Sequence, residues 1–76
     1  MILYIKRGCP WCVDAEHWLS KHAFAYTAVD VLSNPGAYAT MRKLSGQSKA
    51  PVLVTDEGKV LADFGAEDLS GFLSRN

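Results

Sequence analysis

The chain has 76 residues, 49% hydrophobic and 21% charged, the composition of one small globular domain over residues 1–76. Eight basic and eight acidic residues cancel, which excludes the electrostatic footprint of a nucleic-acid binder or of a protein held on an anionic membrane. The opening "MILYIKRG" is too briefly apolar for a secretory leader, and no stretch approaches a membrane span. The expected compartment is therefore the cytoplasm, where cysteine pairs serve catalysis, redox sensing or metal binding more often than stapling.

Residues 2–5 (ILYI) are short and continuously apolar, as a buried strand requires. Pro10 suits the first position of a helix, where its missing N–H costs nothing. The spacing predicts a helix from Pro10 to about His22, with Trp11, Ala15, Trp18, Leu19 and His22 on one face and Cys12 at its edge. "FAYTAVDV" at 24–31 reads as a second strand, and "LSNPG" as a turn into a second helix from Pro35 to Leu44. Tyr38, Met41 and Leu44 or Ser45 should face inward there, and Gly46 should end it. "PVLVT" at 51–55 is the third strand, with proline at its first position, one of the few a sheet tolerates. "DEG" at 56–58 turns the chain into a fourth strand, "KVLAD" at 59–63. After Gly65, "AEDLSGFLSR" reads as a closing helix with Leu69, Phe72 and Leu73 inward and two acids in its first turn. The order β-α-β-α-β-β-α makes the first two strands parallel and the last two an antiparallel hairpin. One four-stranded mixed sheet flanked by helices is the economical α/β solution.

Both cysteines fall in "GCPWC" at 8–12. Three residues apart at a helix start, they lie on one turn and within reach of a disulfide. As the N-cap, Cys9 faces unpaired backbone N–H groups and the positive end of the helix, with Lys6 and Arg7 nearby, all favouring a thiolate. Cys12, one turn in, should stay protonated and shielded. No acid is evidently buried behind it; Glu16, one helical turn on, is a weak candidate to accept its proton. An exposed nucleophile backed by a resolving thiol is what thiol–disulfide exchange requires. A closed zinc site would need His17 and His22 as well, and the first points away while the second is about three turns along. A metal or iron–sulfur cluster shared between two chains remains an alternative of another class. A structural bridge would restrain little of so short a loop, and a cysteine hydrolase would need a histidine beside Cys9. Instead His22 reads as half-buried and His17 as solvated. Trp11 reads equally well as core or as a docking surface beside Cys9.

From "YIKRGCPWC" through "SGQSKAPV" to "FGAEDL", in that order and spacing, the sequence resembles a glutaredoxin of the thioredoxin superfamily from Ile2 to about Leu73. The resemblance implies a thioredoxin-like, glutaredoxin-type fold and a dithiol oxidoreductase. In that chemistry Cys9 attacks a substrate disulfide, Cys12 resolves the mixed disulfide, and Lys6, Pro10, Trp11 and Pro51 support the site. It implies a cis Ala50–Pro51 bond, with Pro51 packed beside the thiols and the Ala50 backbone free to pair with substrate. It also implies glutathione as co-substrate, with no permanently bound cofactor. Lys6 would lie near the glycine carboxylate of glutathione, with Gln47 assisting. Ala50 would meet the cysteinyl portion, and Ala66, Glu67 and Asp68 the γ-glutamyl end. Partners would be glutathione and disulfide-containing proteins, the chain acting as a monomer. A redoxin served by thioredoxin reductase, of the kind that supplies ribonucleotide reductase, is the alternative. Two departures stand out: Phe64–Gly65 where many members carry paired glycines, and Lys49–Ala50 before the proline. The first sets a bulky ring where backbone approach is wanted and leans toward that alternative.

Overall fold

The computed structural model describes residues 1–73, so Ser74 and Arg75, which the sequence reading assigns to the last helix, lie outside the described residues. The elements are β1 (Ile2–Ile5), α1 (Pro10–Lys21), β2 (Thr27–Asp30), α2 (Pro35–Ser45), β3 (Val52–Val54), β4 (Val60–Ala62), a 3-10 turn (Ala66–Asp68) and α3 (Leu69–Leu73). They form one four-stranded sheet in the order β2-β1-β3-β4. β1 runs parallel to β2, while β1–β3 and β3–β4 are antiparallel. The expected mixed α/β fold is what forms. Among the described residues no helix is long and apolar enough to cross a membrane.

Strand alternation divides the core in two, because successive side chains leave a strand on opposite faces. Leu3 of β1 and Leu53 of β3 join Ala15, Leu19, Phe64, Leu69 and Leu73 under α1 and α3. Tyr4 and Val52 join Val31 and Met41 under α2. Each leucine fully removed from water contributes about 1.5–3 kcal/mol; with Cys12, Ala15 and Leu19 buried, α1 is fixed along this seam.

Three expectations change. Trp11 and His22, placed on the buried face of α1, are exposed, and Cys12 sits at the centre of that face, not its edge. The His22 ring stacks on Trp18, centroids 4.0 Å apart, and its Nδ1 lies 2.9 Å from the Trp18 carbonyl oxygen. β2 begins at Thr27, not Phe24, because the Phe24 N–H returns to the Leu19 carbonyl at 2.9 Å and closes the end of α1. In α2 the alternative left open between Leu44 and Ser45 falls to Ser45, half-buried with its hydroxyl donating to the Met41 carbonyl at 2.7 Å, while Leu44 is exposed. Finally, the closing helix is split, a 3-10 turn before α3.

Candidate functional site

β1 ends at Ile5, and Gly8, at φ 83, makes the left-handed turn that aims the chain into α1. Pro10 starts the helix and Cys9 is its N-cap, in extended conformation. The Cys12 N–H donates to Cys9 Sγ at 3.2 Å, so an orphan donor of the helix start is spent on sulfur. Cys9 is half-buried and Cys12 buried, both free thiols. The Ala50–Pro51 bond is cis, as the resemblance implies, and the Ala50 carbonyl oxygen lies 4.0 Å from Cys9 Sγ.

Burial pushes the Cys12 thiol up to about 12. Its hydrogen bond with Cys9 and the charges of Cys9 and Glu16 act the same way, and a backbone hydrogen bond from Lys6 opposes them. The pair therefore divides as exchange chemistry needs: one reachable sulfur at a helix start, one sulfur kept protonated below it.

Cys9 opens into a cleft of about 870 Å³. Lys6, Arg7 and Lys49 line it with positive charge, Asp63, Glu67 and Asp68 with negative, and Trp11 and Leu32 supply apolar surface. Trp11 is 61% and Leu32 62% exposed, which places the tryptophan outside the core, beside Cys9 on the cleft. Asp30 holds Leu32 in place. Its carboxylate accepts the Leu32 N–H at 2.9 Å, the Ser33 hydroxyl at 3.2 Å and Arg7 at 3.4 Å. These bonds, that from Leu32 foremost, hold the Asp30 carboxyl below its usual range although partial desolvation works against them. Arg7 is thus drawn toward β2. Lys6 stands over the Tyr38 ring, its Nζ 5.7 Å from the centroid.

At the far end, Asp68 Oδ2 accepts the Gly65 N–H at 3.0 Å while the Asp68 N–H donates to the Gly65 carbonyl at 2.9 Å. Glu67 folds back so closely that a Cβ added at Gly65 would meet its carboxylate at 2.5–2.8 Å. Phe64 borders the cleft, yet it is only 5% exposed and packs into the core with Leu69 and Leu73.

The cleft brings together Lys6, Cys9, Pro10, Trp11, Ala50, Pro51, Glu67 and Asp68. Gln47 is not on it; it lines a separate hollow with Arg42 and Lys43. Ala66, half-buried, is not on the cleft wall either. Sequence reasoning missed Asp30, Leu32 and Asp63. Asp30 had a signal, a short acid at a strand end followed by Ser33 and Asn34, the pattern of a side chain capping its own turn. Leu32 had none, since an apolar residue reads as core. Among the described residues no group of three or more His, Cys, Asp or Glu gathers to hold a metal.

Residues 1–60 match the family model described as Glutaredoxin. The chain is 26% identical over 73 residues to an uncharacterized glutaredoxin-like 8.6 kDa protein in the rubredoxin operon of Clostridium pasteurianum, covering 96% of each. It is 30% identical over 67 residues to the Gene 56 protein of Mycobacterium phage L5, covering 88% of this chain and 65% of the phage protein. Among solved structures it resembles the thioredoxin-like protein BC3987, with TM-score 0.85, 28% identity, and 95% and 97% of the two chains covered. A glutaredoxin from Archaeoglobus fulgidus gives TM-score 0.82 over 99% of this chain and 85% of that one; at 19% identity this speaks for the fold alone.

Proposed function

The chain belongs to the glutaredoxin family, and from that premise we propose that it is a dithiol oxidoreductase that reduces protein disulfides or glutathione mixed disulfides. One observation carries the reading. Cys9 lies at the cleft with a backbone N–H 3.2 Å from its sulfur, and Cys12, buried directly below on the same turn, is the thiol pushed up to about 12. Cys9 sulfur attacks the substrate disulfide, and one substrate sulfur leaves with the electron pair. Cys12 sulfur then attacks Cys9, releasing the second substrate sulfur and leaving the Cys9–Cys12 disulfide. Two electrons move from the thiol pair to the substrate, so no resident organic cofactor is needed. The Ala50 carbonyl, 4.0 Å from Cys9 Sγ, offers an extended substrate segment a backbone partner beside the reacting sulfur.

Glutathione is the expected reductant, with Lys6 near its glycine carboxylate and Glu67 near its ammonium. A second reading, electron supply by thioredoxin reductase, draws support from the far end of the cleft. There the Gly65 N–H is already taken by Asp68 and Glu67 lies over Gly65, so two carboxylates crowd the place to which the resemblance assigns the γ-glutamyl carboxylate. The experiment is to reduce the oxidised protein with glutathione and, separately, with thioredoxin reductase plus NADPH. Fast reduction by glutathione supports the first donor and fast reduction by the reductase alone the second. If neither regenerates two thiols, the exchange reading fails.

A further inference from the structure

If Cys12 resolves the mixed disulfide, it must first lose a proton that its surroundings hold tightly. The cleft offers nothing for this, because Cys12 is 2% exposed and faces inward. Glu16 is four residues further along α1, the spacing that sets side chains one above the other. Its neighbours Val13, Asp14 and His17 are exposed, whereas Glu16 is half-buried. The Tyr26 hydroxyl, from the segment just before β2, donates to Glu16 Oε1 at 3.0 Å in a partly buried position. That bond fixes the carboxylate and leaves its other oxygen unclaimed by Tyr26. Cys9 and the Lys6 backbone also act on Cys12, and the Ser20 hydroxyl on Tyr26.

We propose that Glu16, oriented by Tyr26, takes the Cys12 proton when the mixed disulfide on Cys9 is resolved; the inference rests on the exchange reading above. The proton passes from Cys12 Sγ to the Glu16 carboxylate, one helical turn along α1, through a bridging water. Cys12 sulfur forms its bond to Cys9 as the Cys9–substrate bond breaks, and the electron pair departs on the substrate sulfur. That thiolate then takes a proton from Glu16 or from solvent. Cys9 and Cys12 are oxidised by two electrons and the substrate sulfur is reduced. Tyr26 is a positioning residue in this scheme, acting only through Glu16.

The sign of one substitution separates this role from a purely electrostatic one. The negative charge of Glu16 disfavours the Cys12 thiolate. If charge were all, Glu16→Gln would ease ionisation and speed resolution. As proton acceptor, its loss slows resolution, by about 100-fold or more, given the usual 10²–10⁴ range of general base catalysis.

The test uses a nitrobenzoate disulfide that loads Cys9 with a chromophoric thiol. Release of the second chromophore times resolution, and the loading step is timed separately. Glu16→Gln is expected to release slowly, with a rate proportional to hydroxide between about pH 6 and pH 8, where the wild type rises less steeply. Tyr26→Phe should shift rate and profile the same way, by a few-fold. Release from Glu16→Gln as fast as wild type, or faster, overturns the proposal. Should Glu16→Gln not fold, an unchanged rate and profile in Tyr26→Phe overturns it instead. A wild type that loads Cys9 but never releases the second chromophore refutes the exchange reading itself, and this inference with it.

Discussion

Competition between the two thiols for iodoacetamide puts the division of labour at the site to a quantitative test. With the Cys12 thiol pushed up to about 12, its ionised fraction at pH 7 is about one in 10⁵. An ordinary cysteine near 8.5 is about 3% ionised, roughly three-thousandfold more. A more basic thiolate is intrinsically the better nucleophile, with a Brønsted coefficient of about 0.4–0.5, which returns a factor of roughly 40. The net handicap of Cys12 is about a hundredfold before its burial restricts access further. Limited alkylation at neutral pH followed by peptide mapping should therefore label Cys9 and leave Cys12 almost untouched. In Cys9→Ala the Cys9 hydrogen bond and charge are gone while burial and Glu16 remain. Cys12 should then react faster than in the wild type yet still more slowly than an ordinary cysteine. If Cys12 in the wild type reacts within about tenfold of an unhindered cysteine at pH 7, the burial argument is wrong and the two roles lose their basis.

Asp68→Ala removes the acceptor of the Gly65 N–H and should cost about 0.5–2 kcal/mol in urea unfolding; Glu67→Ala, which breaks no such bond, should leave the midpoint unchanged, and under the proposed glutathione reading it should slow reduction by glutathione. Ala23 sits at φ 61 just beyond α1, so Ala23→Gly should stabilise the chain by about 0.5–1 kcal/mol, a rise of roughly 2–8 °C in Tm that a thermal melt reads directly. Because Asp30 is held below its usual range, its contribution is present above the unfolded value near 3.9 and is lost as pH falls through the lower folded value. The urea midpoint of the wild type should thus drop below about pH 4 more steeply than that of Asp30→Asn.

Chain-local features account for what could be read in advance. The period-two and helical patterns, Pro10 at a helix start, Gly46 at a helix end, and two thiols three residues apart all act within a turn or two of the chain. Their consequences hold whatever packs against them, and the element order came through, with Cys9 at the start of α1 and Cys12 one turn in. Which side of a helix is covered is a different matter, decided by neighbours far along the chain. Trp11 is outside and Cys12 inside because Leu3, Leu53 and Leu69 meet α1 along the line of Ala15 and Leu19. Gln47 and Ala66 are off the cleft wall because the wall is set by how two distant loops dock against Cys9. Asp68 is engaged with Gly65, and Glu16 tied to Tyr26, through bonds whose geometry exists only once the backbone has closed. Charge, burial and access at the two sulfurs are sums over such long-range contacts, so the tertiary structure alone assigns them.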